Sequence, residues 1–245
     1  MVGGIVSGYN CCPNIINNII SDNNTAGNGG GIFIDGASRY PVIRGNVITH
    51  NSSDSVGGGI FCYSSNARIF KNIINNNTAV FAGGGVYCDE FDIALINNVI
   101  LNNSVVVYGG GYYGTNSNSV LTNNIFGLNS ALYGDDIYID SGSPQITYNN
   151  IQSTIWPGIG NISVDPLFRD PEDGDFHLMS ILCGDPYDSP CIDVSDPTIL
   201  DSLLDCSWGL GTVRSDMGAY GGGLDTMTSI FDPPENSQPR KISLS

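Results

Sequence analysis

A repeat of about 26 residues runs through the first 150 positions of the chain. It carries three markers: a glycine-rich turn before an apolar residue, an Asn-x-(Ile/Phe) triplet, and an Asn followed within two residues by Ser or Thr. The apolar residues after the glycines are Ile32, Ile60, Val86, Tyr112 and Ile137. The two Asn series are Asn18, Asn46, Asn72, Asn98, Asn124 and Asn149, and Asn23, Asn51, Asn77, Asn103 and Asn129. Because the series lengthen and shorten together, they indicate one structural unit repeated along the chain.

Each unit contains short β-favouring stretches separated by Gly, Asn and Ser. Strong helix formers are scarce, since Glu90 and Lys71 are the only Glu and Lys in the first 150 residues. One unit has the length of one turn of a solenoid, and its strands are too short to form hairpins alone. The pattern therefore predicts an all-β protein, a single-stranded parallel β-helix of five to six coils with three short strands in each coil.

Equivalent residues of successive coils should stack on one another. One predicted interior column is Ile15, Ile43, Ile69, Leu95, Leu121 and Ile146, and a second is Ile20, Ile48, Ile74, Ile100, Phe126 and Ile151. The Asn residues are predicted to occupy sharp left-handed turns and to hydrogen-bond from coil to coil. The glycine triplets permit tight turning where a β-carbon would clash.

The composition changes near residue 150, because 25 of the 27 Asn residues precede that point. We therefore divide the chain into β-helix repeats at 1–154, a C-terminal module at 155–226 and a polar, Pro-containing linker at 227–245. A solenoid needs a cap, since its last coil exposes apolar side chains and unpaired strand edges. The C-terminal module is predicted to be that irregular cap.

The repeats resemble those of right-handed parallel β-helix proteins secreted by bacteria. The elements Gly-Gly-Gly-Ile-Phe at 29–33 and Asn-Asn-Thr-Ala at 23–26 look like the repeats of polymorphic outer-membrane proteins. The later elements Gly-Asp-Phe-His-Leu at 174–178 and Asp-Met-Gly-Ala-Tyr at 216–220 are similar to a C-terminal module of the choice-of-anchor type. The resemblance implies a secreted or cell-surface location. It does not specify an activity, because such folds include lyases, hydrolases and adhesins.

Both ends of the sequence look cut. Gly3-Gly4-Ile5 occupies the repeat position of Gly30-Gly31-Ile32, so the chain opens inside a coil. The last residues resemble the lead-in to a bacterial sorting domain. We therefore expect a monomeric portion of a longer exported polypeptide, which accounts for the missing signal peptide.

The chain is strongly acidic. Its net charge of −16, from 24 acidic and 8 basic residues, excludes a nucleic-acid binder or an anionic-membrane binder that works by charge. No apolar run approaches the ~18 residues that a membrane span needs.

Seven cysteines are present, and Cys62 and Cys88 share one repeat phase. We predict that they are stacked interior thiols, with an inter-coil disulfide as the alternative. The later residues Cys183, Cys191 and Cys206 could supply one disulfide. No zinc site is expected, since His50 and His177 belong to different segments.

Carboxylates in the C-terminal module are the candidates for a Ca²⁺ site. Their spacing misses the EF-hand pattern, so turn formation is the preferred interpretation and neither a metal site nor a cofactor is assigned. These residues are Asp165, Asp170, Asp173 and Asp175.

No catalytic residues are assigned. Asp35, Asp89 and Asp140 share one phase in alternate coils, which predicts a separation of about 9 to 10 Å, looser than an inverting glycosidase needs. A lyase would need clustered carboxylates for Ca²⁺ and an Arg or Lys as base. The residues considered for that role are Arg44, Arg68, Lys71, Asp89, Glu90 and Asp92.

An aromatic residue follows the interior apolar residue in every coil, and period-two alternation turns it outward. These residues, the aromatic stripe, are Phe33, Phe61, Tyr87, Tyr113 and Tyr138. The stripe is predicted to bind sugar rings, or else to stabilise successive coils by ring stacking. The predicted function is a non-catalytic extracellular adhesion or structural protein that binds glycan along the stripe. The alternative is a polysaccharide lyase or glycoside hydrolase acting on an acidic polysaccharide.

Overall fold

The computed structural model describes residues 4–8, 11–36, 40–222 and 240–242. The chain winds into a solenoid in which each strand pairs in parallel with the equivalent strand of the neighbouring coil. The pairing is in register, so Val86 lies between Ile60 and Tyr112 on adjacent strands. The predicted all-β parallel helix is confirmed, and its first two sheets each contain six strands.

Three sheets run the length of the solenoid. The strands of the first sheet are Ile5–Ser7, Ile32–Asp35, Ile60–Tyr63, Val86–Asp89, Tyr112–Thr115 and Ile137–Ile139. Those of the second are Asn14–Ile16, Val42–Arg44, Arg68–Phe70, Ala94–Ile96, Val120–Thr122 and Gln145–Thr147. Those of the third, before one addition described below, are Asn18–Ser21, Val47–Thr49, Ile73–Asn75, Val99–Leu101, Ile125–Gly127 and Asn150–Ile151.

A fourth sheet of very short strands corrects the prediction of three strands in each coil. It contains Asn24–Thr25, Ser52–Ser53, Thr78–Ala79 and Ser104–Val105. These two-residue strands follow the second Asn series directly, and apart from Asn24 they consist of Ser, Thr and the small apolar residues Ala and Val. Such pairs lack the run of β-branched residues by which a strand is recognised in a sequence.

The solenoid interior is filled by the two predicted columns. All twelve residues of those columns are buried, as predicted. The interior also includes Cys62 and Cys88, which are directly paired on adjacent strands and are both free thiols. Burial of one Ile or Leu side chain contributes about 2 kcal/mol to stability, so the stacked columns are the main apolar core of the protein.

The first Asn series forms a continuous hydrogen-bonded ladder. In each coil the backbone N and the side-chain Nδ2 of one Asn donate to the Oδ1 of the next, as in Asn72 to Asn98 at 3.0 Å for both bonds. The same Nδ2 also donates to a carbonyl of an earlier strand, that of Ile43 for Asn72, at 2.9 Å. These amides are therefore buried with their hydrogen-bonding groups satisfied. The second series forms a parallel ladder, as in Asn77 to Asn103.

The left-handed backbone lies one residue before each rung, which corrects the predicted position of the turn. In the first ladder these preceding residues have φ between 51° and 63°. They are Asn17, Gly45, Lys71, Asn97, Asn123 and Tyr148. Because the preceding residue makes the turn, the Asn itself is left to direct its amide towards the next coil. Glycine is required elsewhere, since a β-carbon on Gly59 would lie 2.6 Å from the Gly85 carbonyl oxygen.

The C-terminal module begins by extending the last coil. Asn161 accepts the backbone N–H of Asn149 at 2.9 Å, so it adds a rung to the first ladder. Ile162 forms a parallel bridge with Asn150, and Trp156 packs against the solenoid core. An antiparallel pair, Phe168–Asp170 with Asp175–Leu178, and a 3₁₀ turn at Ile181–Cys183 follow.

The rest of the module, as far as it is described, packs against the side of the solenoid. A second apolar cluster joins the outward side chains of the third sheet to the module. The sheet supplies Ile73, Val99, Leu101 and Ile125, and the module supplies Phe168, Phe176, Leu178, Cys191, Leu210, Met217 and Ala219. The predicted end cap therefore describes only part of what the module does. The outer face of the third sheet is itself apolar, and the module covers this face as well. The predicted disulfide exists between Cys183 and Cys206.

Residues 240–242 form a further strand, Arg240–Ile242, beside Asn18–Ser21 in the third sheet. They fall within the predicted linker at 227–245, whose other residues lie outside the described part of the chain. Among the described residues, no helix has the length and hydrophobicity that crossing a lipid bilayer requires.

Candidate functional site

The aromatic stripe is a column of rings stacked on one another along the first sheet. The centroid separations are 5.0 Å for Phe33 and Phe61, 5.3 Å for Phe61 and Tyr87, 4.9 Å for Tyr87 and Tyr113, and 5.8 Å for Tyr113 and Tyr138. The planes of neighbouring rings differ by 15° or less. The predicted column follows from in-register pairing, which spaces coils at about the distance of stacked rings.

Stacking determines which part of each ring is accessible. The faces of the inner rings are covered by their neighbours, and Phe61 is only 5% exposed. The remaining rings of the stripe are partly buried. The stripe therefore stabilises coil stacking, and a ligand alongside it would meet ring edges and tyrosine hydroxyls in place of ring faces.

Two tyrosines outside the predicted set widen this surface at the fourth and fifth coils. Tyr108 lies 4.8 Å from Tyr138 and 5.4 Å from Tyr133 between ring centroids. Each directly precedes the glycine-rich turn of its coil. In successive repeats this position holds Val56, Ala82, Tyr108 and Tyr133. The change from an aliphatic residue to tyrosine at one repeat position is the sequence signal that marks the two added rings.

Polar groups line one side of the aromatic stripe. The Tyr87 hydroxyl donates to Asp89 at 3.5 Å, and Asn116 Nδ2 donates to the same carboxylate at 3.3 Å. Thr115 Oγ1 donates to Asp140 at 3.1 Å. Burial, with a smaller effect from the Asp89 charge, raises the pKa of Tyr87, so its hydroxyl stays protonated and available as a donor. Carboxylates along this flank make it negative.

The predicted carboxylate series occupies this flank in alternate coils. In the strand register Asp35 is followed by Tyr63, Asp89 and Thr115, and Asp140 comes in the next coil. Within the described ranges, no group of three or more His, Cys, Asp or Glu residues could hold a metal ion. In the C-terminal module, Asp165 and Asp175 each accept the backbone N–H two residues later, which is the geometry of turn formation.

The basic residues considered for a lyase are distributed differently. Arg44 and Lys71 lie at the turn between the second and third sheets, where Trp208 and Tyr220 of the C-terminal module complete a cleft of about 180 Å³. Lys71 Nζ donates to the Gly222 carbonyl at 2.5 Å and lies 5.6 Å from the Trp208 ring centroid.

The other residues of that set lie elsewhere. Arg68 begins its strand and stacks over Tyr40 at 4.7 Å. Asp89, Glu90 and Asp92 lie at the turn between the first and second sheets, at the opposite end of the second-sheet strands from Lys71. The structure therefore brings Arg44 and Lys71 together but separates them from Asp89, Glu90 and Asp92.

Two buried carboxylates in the C-terminal module were missed by sequence reasoning. Asp216 accepts backbone N–H groups from Asp193 at 2.8 Å and from Leu210 at 2.7 Å. Burial raises its pKa to about 7, and burial also raises the pKa of Asp201 to about 6. Both carboxylates accept N–H groups from other loops of the module, Asp216 as above and Asp201 from Gly222. Sequence reasoning missed them because this segment has no repeat that would mark such positions.

Neither the curated proteins nor the solved structures gave a match. The family described as "Right handed beta helix region" matches residues 2–126, which is about half of the chain. With the parallel in-register coils and the Asn ladders, this match shows that the chain belongs to the right-handed β-helix family.

Proposed function

We propose that this chain is a non-catalytic β-helix module of an extracellular or cell-surface protein, with an adhesion or structural role, and that it binds a neutral glycan along the aromatic stripe. The observation that carries the proposal is the outward column of Tyr87, Tyr113 and Tyr138 with carboxylates beside it. The disulfide between Cys183 and Cys206 supports an extracellular location, because disulfides persist in oxidising compartments.

The chemistry of the stripe favours a neutral sugar chain. A linear glycan lying along the solenoid axis would meet one aromatic edge in each coil, together with hydroxyl, amide and carboxylate groups that bond to sugar hydroxyls. The flanking Asp89 and Asp140, in a chain of net charge −16, would repel a polysaccharide that carries carboxylates or sulfates.

The test is a binding screen of neutral and acidic polysaccharides, with variants that keep the ring stack. Tyr113→Phe retains the ring and removes the hydroxyl, so affinity for a neutral glycan should fall about 5- to 10-fold, the effect of one neutral hydrogen bond. Tyr40→Phe is the matched control, since Tyr40 is exposed and lies outside the stripe. Equal affinity of both variants and the parent, or no neutral glycan bound at all, contradicts the proposal.

The cleft at Arg44 and Lys71 favours a second candidate, an enzyme acting on acidic polysaccharide. Two cations and the Trp208 ring line this cleft, and such a lining suits a uronate carboxylate. Under this alternative, acidic polysaccharide would yield unsaturated products with a new absorbance. Lys71→Gln would abolish that signal, whereas Tyr113→Phe would leave it unchanged.

A further inference from the structure

A second, shorter column of stacked rings runs beside the aromatic stripe. It consists of Tyr108 and Tyr133, whose ring centroids are 5.4 Å apart with planes that differ by 22°. In the register of the solenoid this position passes from Val56 to Ala82, to Tyr108 and to Tyr133, and among the described residues no bridge continues it beyond Tyr133. Tyr133 is therefore the last ring of its column.

Tyr133 presents one ring face to solvent. Tyr108 covers the other face, yet 52% of Tyr133 is exposed, compared with 5% of Phe61, which lies between two rings of the aromatic stripe. In the described part of the chain, Tyr108 supplies the one ring that stacks on Tyr133. Because rings in a column stack from coil to coil, the free face of Tyr133 points along the solenoid axis, away from the preceding coil.

The chain that follows the last coil leaves this face uncovered. Trp156 packs against the solenoid interior, whereas residues 132–135 are all exposed. The two ring columns end side by side, since Tyr108 lies 4.8 Å from Tyr138, the last ring of the aromatic stripe. A ligand that runs along the stripe can therefore reach the free face of Tyr133 at its end.

The chemistry around this face suits a neutral sugar ring. A pyranose with equatorial hydroxyls carries C–H groups on its two faces, so it stacks on a tyrosine face while its hydroxyls point sideways. Asp135, two residues after Tyr133, is exposed and accepts the Ala131 N–H with one carboxylate oxygen at 3.0 Å. A carboxylate is a strong acceptor for sugar hydroxyls, and its charge disfavours an acidic sugar.

We propose that the free face of Tyr133, together with the Asp135 carboxylate, is a stacking site for the terminal sugar of a neutral glycan. We call it the column-end site. This proposal rests on the proposed glycan-binding function and deepens it, because it assigns the end of the stripe at which the glycan is held. A sugar alongside the stripe meets ring edges, whereas a sugar in the column-end site meets a whole ring face.

Fluorine NMR of protein labelled with fluorotyrosine detects a single sugar at this face. The Tyr133 signal is identified as the one that is missing from Tyr133→Phe. Methyl β-glucopyranoside should shift this signal more than that of Tyr113, whose ring lies between two others, and it should leave the signal of the exposed Tyr40 in place. Equal shifts at Tyr133 and Tyr40, or no shift at Tyr133, overturn the proposal.

Cellohexaose, a linear neutral glycan, tests the same site by titration calorimetry. Tyr133→Ala removes the ring face and should lower the affinity about 5- to 10-fold, the effect of one aromatic contact. Tyr133→Phe restores the face and should recover most of that loss. Leu132→Ala is the matched control, since Leu132 is an exposed apolar neighbour without a ring, and its affinity should stay within about twofold of the parent. Equal losses in Tyr133→Ala and Leu132→Ala overturn the proposal.

The same titrations separate this proposal from the one on which it rests. If Tyr113→Phe weakens cellohexaose binding and Tyr133→Ala does not, the stripe binds glycan and the column-end site is wrong. If Tyr133→Ala weakens binding and Tyr113→Phe does not, the column-end site stands and binding alongside the stripe is wrong. Failure of the parent to bind cellohexaose, together with an unshifted Tyr133 signal, overturns both.

Discussion

Asn129 donates its side-chain Nδ2 to the Asp136 carboxylate, with 2.8 Å between Nδ2 and Oδ1. The second Asn ladder therefore ends on an acid, where every earlier rung donates to another amide. The other carboxylate oxygen accepts the backbone N–H of Ser153 at 2.8 Å. Asp136 thus connects the end of the ladder to the segment that follows the last coil.

Asp136→Asn should lower the free energy of unfolding by about 1 to 2 kcal/mol. The two N–H donors bond to different carboxylate oxygens, so in Asn one of them would face an NH2 group, and the charge-assisted bonds are lost. Urea unfolding measures this change. Asp135→Asn is the control, since Asp135 is exposed and accepts only the Ala131 N–H among the described contacts. If the two variants lose equal stability, Asp136 has no special role at the ladder end.

Asn98→Ala should be more damaging, at about 2 to 4 kcal/mol, because it leaves buried donors and acceptors on both neighbouring coils without partners. Asn98 donates to Asn124 and to Ile69, and it accepts two bonds from Asn72. Thermal and urea unfolding followed by circular dichroism measure the loss. The matched change Asn24→Ala removes an exposed amide, and it should alter stability by less than about 0.5 kcal/mol.

The C-terminal module should become less stable as the pH rises from about 4 to about 7. Burial raises the pKa of Asp216 to about 7, with smaller contributions from the charges of Asp201 and Asp193. An unfolded Asp titrates near ~3.9, so the folded form binds the proton more tightly, and its stability contribution is full below pH ~4 and lost as the pH approaches 7. Asp201, whose pKa burial raises to about 6, acts in the same direction.

Urea unfolding followed by tryptophan fluorescence, which comes from Trp156 and Trp208 of the module, measures this dependence at several pH values between 4 and 8. Asp201→Asn removes one of the two titrating groups and should flatten the part of the profile between pH 4 and 6. Stability that instead increases steadily from pH 4 to 7 would show that these carboxylates are favoured as anions in the fold.

The native protein should react with alkylating reagents at Cys11 and Cys12 only. Both are exposed, whereas Cys62, Cys88 and Cys191 are buried. Burial raises the pKa of each of these three thiols, that of Cys191 to about 12, so little reactive thiolate forms at neutral pH. Mass spectrometry after labelling of native and denatured protein distinguishes the two groups. Native labelling of Cys88, or a disulfide between Cys62 and Cys88, would contradict the buried free pair.

Side chains that recur with the repeat could be placed from the sequence with their correct neighbours. Parallel in-register pairing puts residue Asn72 beside Asn98 and Tyr87 beside Tyr113 whatever the details of the turns. The predictions that were wrong concern features smaller than the period. The fourth strand is two residues long, and the left-handed turn lies at Lys71 and not at Asn72.

The two candidate sites differ in the same way, since one follows from the repeat and the other does not. The aromatic stripe was predictable because one residue type recurs at one position. The cleft at Lys71 and Trp208 was not, since it joins a solenoid turn to a loop more than 130 residues away in a segment without repeats.

The amino-acid sequence by itself determined the solenoid, its interior columns, the Asn ladders and the stacking of the aromatic stripe, because a periodic chain repeats each local interaction from coil to coil. Only the tertiary structure decided that residues after 165 lie along the third sheet, that Asp136 ends the second ladder and that Arg240–Ile242 adds to the first coil. Those contacts join segments of unrelated sequence. Their partners are selected by which apolar face and which strand edge the finished solenoid leaves uncovered.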